Sequence, residues 1–503
     1  MIRWTLRSKE FSAFLSAIIF LGCIQGCKEV APSSASPAPP NIVFILADDL
    51  GWADLPTYGN AFHETPNLDR LRAEGMLFSN AYAAAPVCSP TRASIQAGQY
   101  PARLGINDFI TGHWRPYEQM IVPKNRTQYL PDSLTTIGEA MKAAGYATGY
   151  FGKWHLGWNS PYMPGDQGYD DWRVHRRGTF YKLKSRDAIF PPDDNLDDES
   201  RLSEVLTDYS LSFIEQNKAN PFFLFLSHYD VHVQLDADRD LIDKYLKKEV
   251  KDSFPGNAIY AAMIEHIDRS LGRIMEKLDA LGLAENTMVV FFSDNGGLVS
   301  RFDKIPLLAK DKLEIYENSP LQYIATSNAP LRAEKGTVFE GGIREPLLVK
   351  WPKVVAAGST SLQLISSIDF FPTFVELGKG KLPPEQAIDG DSFAGILSGE
   401  RTETDRTLYW HYPVYHHDRP AGAIRQGKWK MIEYFDTEEV ELYDLNEDIG
   451  EQNNLANQLP DKRRELSEQL ANWRREIAAQ MPVPNPDFDA ERREEWGKHP
   501  DRQ

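Results

Sequence analysis

The sequence predicts an α/β fold: a large, mostly parallel central sheet flanked by helices, followed by a smaller C-terminal subdomain of antiparallel sheet plus helix. Three observations lead there. Four continuous apolar runs, at 41–47, 221–226, 288–292 and 346–351, suit strands buried on both faces, as in parallel sheets. Helical patterns lie between these runs, and strand–helix alternation argues for helices on both faces of one sheet. After about Gly378 the texture changes to short β-rich pieces separated by turn signals.

Taken in order, the chain opens with Arg3, Arg7 and Lys9, then a mostly apolar stretch from Phe11 to Ile24 that is short for a membrane span. It closes on Cys23 and Cys27, each preceded by a small residue, a pattern that resembles the lipobox of bacterial lipoproteins. Cys27 is preferred over Cys23, because Lys28-Glu29 follows and the apolar run is then complete. The alternative is a plain secretory peptide. Either reading makes the protein exported, to the periplasm or the cell surface, touching a membrane through a lipid anchor only. Residues 1–27 are thus an export segment, and 28–40, rich in Pro, Ala and Ser, form a tether.

The main domain is expected at 41–378. Its first helix spans 67–75, after Thr65-Pro66, and a second runs from Asp132 to Ala144. Ile259, Met263, Ile267, Leu271, Ile274 and Leu278 keep a three-to-four spacing and stop before Gly282, giving a long amphipathic helix. The subdomain at 379–481 carries strands at 408–412 and 428–434, a turn at 425–427, and a closing helix from about Pro460 to Met481. The polar tail at 482–503 is expected as a surface wrap or a partly disordered end.

The 503 residues carry a formal net charge of −17, which argues against a phosphate-neutralising surface and hence against nucleic acid as a partner. An anionic substrate would need a local basic pocket. Of the three cysteines, only Cys88 lies beyond the export segment, so no disulfide staples the mature chain.

Two residue pairs follow strands: Asp48-Asp49 after the first run and Asp294-Asn295 after the third. Ligands gather at the carboxyl ends of strands in open α/β sheets. Three carboxylates and an amide oxygen suit a hard divalent cation, Ca²⁺ more readily than a soft metal, with Mg²⁺ left open. The plainer reading is that each pair caps a turn. In Gly149-Tyr150-Phe151-Gly152-Lys153-Trp154-His155, two glycines permit close backbone approach. On an extended segment, Lys153 and His155 would face one side, where a cation and an imidazole suit an anionic ester. His228 and His232 follow the Phe-rich run, and Lys335 sits in a glycine-containing loop before Arg344, for which a structural role is expected.

Cys88 itself lies in Pro86-Val87-Cys88-Ser89-Pro90-Thr91-Arg92, a Cys-x-Pro-x-Arg pattern followed by Gly98-Gln99-Tyr100-Pro101. With the Gly-Lys-Trp-His segment, this resembles the type I sulfatases of the alkaline phosphatase superfamily, and the similarity runs from Asn41 to about Leu455. The resemblance implies an alkaline phosphatase-like fold and a sulfuric ester hydrolase. It implies that Cys88 is oxidised to formylglycine by a formylglycine-generating or anaerobic sulfatase-maturating enzyme that reads Pro90 and Arg92. A hydroxyl of the hydrated aldehyde would attack sulfur and give a sulfated-enzyme intermediate. It further implies one Ca²⁺ held by Asp48, Asp49, Asp294, Asn295 and the modified Cys88. Arg92 would steady the hydrate, Lys153 and Lys335 would bind sulfate, His155 would be the base, and His232, rather than His228, would lie on the leaving-group side. Gln234 and Gln96 depart from the usual pattern without changing a reacting group.

The C-terminal segments at 408–425 and 441–445 look like those of bacterial polysaccharide sulfatases, and with export they favour sulfated carbohydrates as substrate. Candidate sugar contacts are His113, Arg173, Arg176, Arg177, His416 and Arg419, with Trp114, His175 and His417 near them in sequence. A solvated surface side chain is the plainer reading of each. Two other functions are weighed: a phosphomonoester or phosphonate-ester hydrolase of the same superfamily, and a non-catalytic glycan-binding lipoprotein.

Overall fold

Strand Asn41–Ala47 shows why the central sheet forms. All seven of its residues are buried. Val43, Ile45 and Ala47 enter one hydrophobic layer, and Ile42, Phe44 and Leu46 enter the other. The two-residue period of a strand sends alternate side chains to opposite faces, so a run without polar residues needs cover on both. Phe222–Ser227 divides in the same way, Leu224 and Leu226 to one face and Phe223 and Phe225 to the other. Each such side chain contributes about 1.5–3 kcal/mol of burial.

The computed structural model describes residues 39–125, 128–175, 181, 189–193, 196, 200–251, 254–301, 303, 305–402 and 405–497. Cys23, Cys27, Arg176 and Arg177 therefore lie outside the described residues. From Pro39 onward the chain is one unit. Among the described residues the sheet has ten strands. Its order is Ser359–Ser361, Met76–Tyr82, Arg344–Lys350, Thr287–Ser293, Asn41–Ala47, Phe222–Ser227, Ala147–Gly152, Asp171–His175, Ile189–Phe190, with Ile365–Ser366 beside Met76–Tyr82. The centre is parallel, and Arg344–Lys350 runs against both its neighbours. One face is covered by the helix Ala258–Ala280 with Leu202–Asn217 and Arg239–Leu246, the other by Cys88–Ala97, Ile137–Ala143 and Phe370–Leu377. No helix of the described residues is long and apolar enough to cross a membrane.

Most expected elements appear within a few residues. The helix expected from Asp132 starts only at Ile137, because Thr136 and Glu139 form a reciprocal cap there. The closing helix ends at Glu476, not Met481. Strand Met76–Tyr82 was not expected, since Ser79 and Asn80 interrupt its apolar run at a bulge between Phe78 and Ala81.

The C-terminal sheet, Thr407–Tyr412, Ala421–Gln426, Trp429–Tyr434 and Val440–Asp444, is antiparallel throughout. Ile424, Met431 and Leu442 pack on Leu466, Leu470 and Trp473 of the helix Pro460–Glu476. A buried ionic network ties this sheet to the main one. Lys430, fully buried, holds Glu340 at 2.9 Å and Glu451 at 2.8 Å. Glu340 also accepts from Tyr82 at 2.7 Å and pairs with Arg344 at 3.1 Å, which fixes Arg344 in a structural position. Removing one partner of such a set leaves uncompensated charge. Lys430→Met is therefore expected to cost about 3–5 kcal/mol, read as a lowered midpoint in urea.

Candidate active site

The carboxyl ends of four adjacent parallel strands lie side by side. Register pairs Ala47 with Ser293, Leu46 with Ser227, and Ser227 with Gly152. The residues that follow therefore emerge along one edge: Asp294-Asn295, Asp48-Asp49, His228 onward, and Lys153. Gly152 makes this approach possible. Its φ is +121°, and a Cβ there would lie 1.7 Å from the Ser227 carbonyl oxygen.

Arg92, buried on the helix that Cys88 begins, ties the edge together. It donates from Nε to Asp294 at 2.9 Å, and from Nη1 to the Lys153 carbonyl at 2.8 Å and Ser227 Oγ at 2.6 Å. Its Nη2 lies 2.6 Å from Asp294 and 3.8 Å from Asp48. The Asp49 amide donates to Asp294 Oδ1 at 3.2 Å, and Asn295 Nδ2 donates to Asp49 Oδ1 at 2.9 Å. Lys153 Nζ meets Asp48 Oδ2 at 2.5 Å, and Lys335 Nζ holds both oxygens of Asp49 at 2.6 and 2.7 Å. Burial pushes the Asp49 carboxyl up, but Lys335, His232 and Lys153 outweigh it and hold it well below the usual range. Burial raises Asp294 to about 6 despite Arg92.

These residues fit a hard cation. Asp48 Oδ1 and Asn295 Oδ1 are buried without a hydrogen-bond partner, although nearly all such oxygens in folded proteins have one. With Asp49 and Asp294 they make the all-oxygen donor set that calcium takes. Ligand atoms of Asp48, Asp49 and His232 also fall within 4.8 Å of one another.

Cys88 and His155 face each other across the end of a cavity of about 460 Å³. Cys88 Sγ is 3.2 Å from His155 Nδ1, and His155 Nε2 is 2.7 Å from the Ile110 carbonyl. A carbonyl only accepts, so the proton sits on Nε2 and the lone pair of Nδ1 points at residue 88. Burial and Lys153 keep this imidazole neutral, well below its ordinary pKa. Burial also pushes the Cys88 thiol up, against the pull of Lys153 and Lys335. The segment is not extended at His155, whose φ is +59°, so the expected alternation fails there; Lys153 and His155 nevertheless line the same cavity.

His232 lines the cavity, with Nε2 3.7 Å from Asp49, while His228 is buried elsewhere against Ser270 at 3.1 Å. His113 and His416 form a wall, with rings 4.2 Å apart, and His175 and His417 also line the cavity. The structure does not bring Arg173 or Arg419 there. Arg173 turns to Asp171 and the Tyr209 ring, and Arg419 pairs with Glu439 at 2.7 Å over Tyr434, because nearby carboxylates and rings satisfy each locally. Sequence reasoning missed Phe109, Trp158 and Arg301 as lining residues. Nothing in their local sequence marks them, although Trp158 follows the Gly-Lys-Trp-His segment closely.

A family model described as sulfatase matches residues 40–380. The chain belongs to the sulfatase family. A second model, N-sulphoglucosamine sulphohydrolase, C-terminal, matches 333–478 of this sulfatase. A sulfatase of Formosa agariphila is 31% identical over 501 residues, covering 84% of this chain and 86% of the relative. The N-acetylgalactosamine-6-sulfatase of Sus scrofa is 36% identical over 400 residues, covering 75% and 69%. The crystal structure of Ps i-CgsB in complex with k-i-k-neocarrahexaose superposes with a TM-score of 0.71 at 25% identity, covering 90% of this chain and 94% of that one. As a sulfatase the chain is a sulfuric ester hydrolase, and the alkaline phosphatase-like fold is as expected.

Proposed function

We propose that this sulfatase removes sulfate from sulfated carbohydrates, with formylglycine made from Cys88 as its nucleophile and Ca²⁺ at Asp48, Asp49, Asp294 and Asn295. The facing pair of residue 88 and a neutral His155 Nδ1 carries the reading. A thiol held in its protonated form is a weak nucleophile. The hydrate of an aldehyde at the same position supplies two hydroxyls, one to attack sulfur and one to release the product.

His155 is the base placed to take the proton of the second hydroxyl as sulfate departs. Arg92 holds the Asp48–Asp294 edge rigid beside it. The three buried carboxylates and the three cations Arg92, Lys153 and Lys335 cancel formally. A bound divalent cation would take up the carboxylates and leave both lysines for the sulfate oxygens. His232 and Lys335 lie together across Asp49, on the leaving-group side; burial keeps His232 neutral, so Lys335 is the group that carries a proton for the departing alcohol.

His155→Gln should lower kcat by about 10²–10⁴ while sulfate-ester binding persists. Pre-steady-state release of the alcohol followed by stalled sulfate release is the expected signature. Loss of the first burst would count against this assignment.

The sugar would lie against His113 and His416. Relatives named for N-acetylgalactosamine-6-sulfate and a neighbour solved with a carrageenan-type hexaose support a carbohydrate ester. The deciding experiment assays sulfate release by ion chromatography from sulfated mono- and oligosaccharides, with phosphate monoesters as control. Turnover of phosphate esters alone would overturn it. Export and lipid attachment at Cys27 or Cys23, with action at the cell surface or in the periplasm, complete the reading; the acylated N-terminal peptide is the measurement for that part.

A further inference from the structure

Beyond Met481 the tail runs back over residues 114–121, which follow the cavity-lining His113 directly. Val483 and Pro484 pair with Ile121 and Met120 as a short antiparallel ribbon. Asn485 then donates from Nδ2 to the carbonyls of Pro116 and Glu118 at 2.8 and 2.7 Å, and its amide donates to that of Gln119 at 2.8 Å. The Asp489 amide donates to the Tyr117 carbonyl at 3.1 Å, and the Gly497 amide donates to the Trp114 carbonyl, also at 3.1 Å. Arg493 pairs with the buried Glu118 at 3.1 Å. Ties of this kind every few residues hold the loop along its whole length.

The far end of this strap reaches His113 of the cavity lining. The Trp496 ring lies 5.2 Å from the His113 ring, with the Arg115 guanidinium 4.3 Å from the centroid of the same tryptophan ring. His113 is also held by Asp108, which accepts its amide N–H at 2.6 Å and lies 3.3 Å from Nδ1. His113 in turn packs on His416, and His416 sits where a side chain at Gly336 would be, beside Lys335: a Cβ at Gly336 would come 1.7 Å from His416 Nδ1. Trp496 thus begins a run of contacts that ends at a cation of the site.

We infer that Trp496, seated by the 483–497 strap, is a positioning residue that fixes the His113–His416 wall for the carbohydrate part of the substrate. The inference rests on the carbohydrate reading above. Physically, a wall already ordered before binding spares the substrate the cost of ordering it. Two features favour this over simple tail packing. The strap's polar contacts cover 114–121, the segment that follows His113 directly. Its one tryptophan, rather than any other ring of the tail, is placed on the lining histidine.

The test uses the full, formylglycine-bearing enzyme in four forms: wild type, Trp496→Ala, Trp496→Phe and a chain stopped after Pro482. Each is assayed on a sulfated oligosaccharide and on a small aryl sulfate, which occupies the sulfate end of the cavity and reaches little of the wall. Trp496→Ala and the shortened chain should raise KM for the oligosaccharide roughly three- to ten-fold, the loss of ordering for one or two side chains. Their kcat and their aryl sulfate kinetics should stay near wild type, and Trp496→Phe should restore KM. An unchanged oligosaccharide KM in both altered forms overturns the inference. Equal losses on both substrates with a lowered Tm overturn it as well, because that marks a stabilising role only. A wild-type enzyme that cleaves the aryl ester but no sulfated carbohydrate defeats the carbohydrate reading and removes this inference with it.

Discussion

Cys88→Ser is expected to lower turnover of sulfate esters by about 10³-fold or more, the scale seen when a hydrolase loses its nucleophile. On the proposed mechanism serine would be no substitute. It keeps an oxygen at the start of the helix Cys88–Ala97 and leaves His155 in place. It has one hydroxyl, however, and after that oxygen receives the sulfo group His155 has no second proton to take. The variant should accumulate a sulfo-enzyme visible in its intact mass. In the wild type, the tryptic peptide containing position 88 should weigh about 18 Da less than the thiol form, as oxidation of cysteine to the aldehyde requires. Full activity in protein carrying only the thiol would end the proposal.

The second large effect is expected from calcium. Dialysis against EGTA should bring activity to background and lower Tm, and added Ca²⁺ should restore both. At a hundredfold excess over its Kd the ion would stabilise the fold by about 2.7 kcal/mol. The reason lies in the two orphaned oxygens, Asp48 Oδ1 and Asn295 Oδ1, and in Lys153 and Lys335, which lie on Asp48 and Asp49. A substrate sulfate would have to compete with those carboxylates for the lysines. Chelated enzyme with unchanged kcat/KM would show that the lysines need no such release. Asp48→Asn, which keeps size but removes charge, should shift the Ca²⁺ requirement to higher concentration.

The fold was readable where burial is two-sided. Asn41–Ala47 and Thr287–Ser293 contain no polar interruption, so their type and place in a parallel sheet followed from the apolar runs alone. Met76–Tyr82 escaped because it lies nearer the sheet edge, with Ser79 and Asn80 half exposed. At the site, each group that follows a strand was legible, since strand ends at one edge must meet. The cavity wall was not. His113 and His416 meet only because the turn before Asp418 and the loop after Asp108 fold over the same opening. Arg173 looked as informative as either, yet Asp171 and Tyr209, close at hand, claim it. Sequence spacing carries strand-end chemistry well and long-range loop packing poorly.

The bond between Arg92 and Asp294 joins residues 202 positions apart. Until the later one is synthesised, Arg92 lacks its shorter carboxylate contact and has only Asp48, 3.8 Å away in the folded chain, to close upon. At about 5–20 residues per second, that interval is roughly 10–40 s. All ten residues of the finished helix are buried. On the proposed formylglycine mechanism, an oxidising enzyme would find position 88 within reach only before the chain closes, and the pace of synthesis would then set how many molecules become competent.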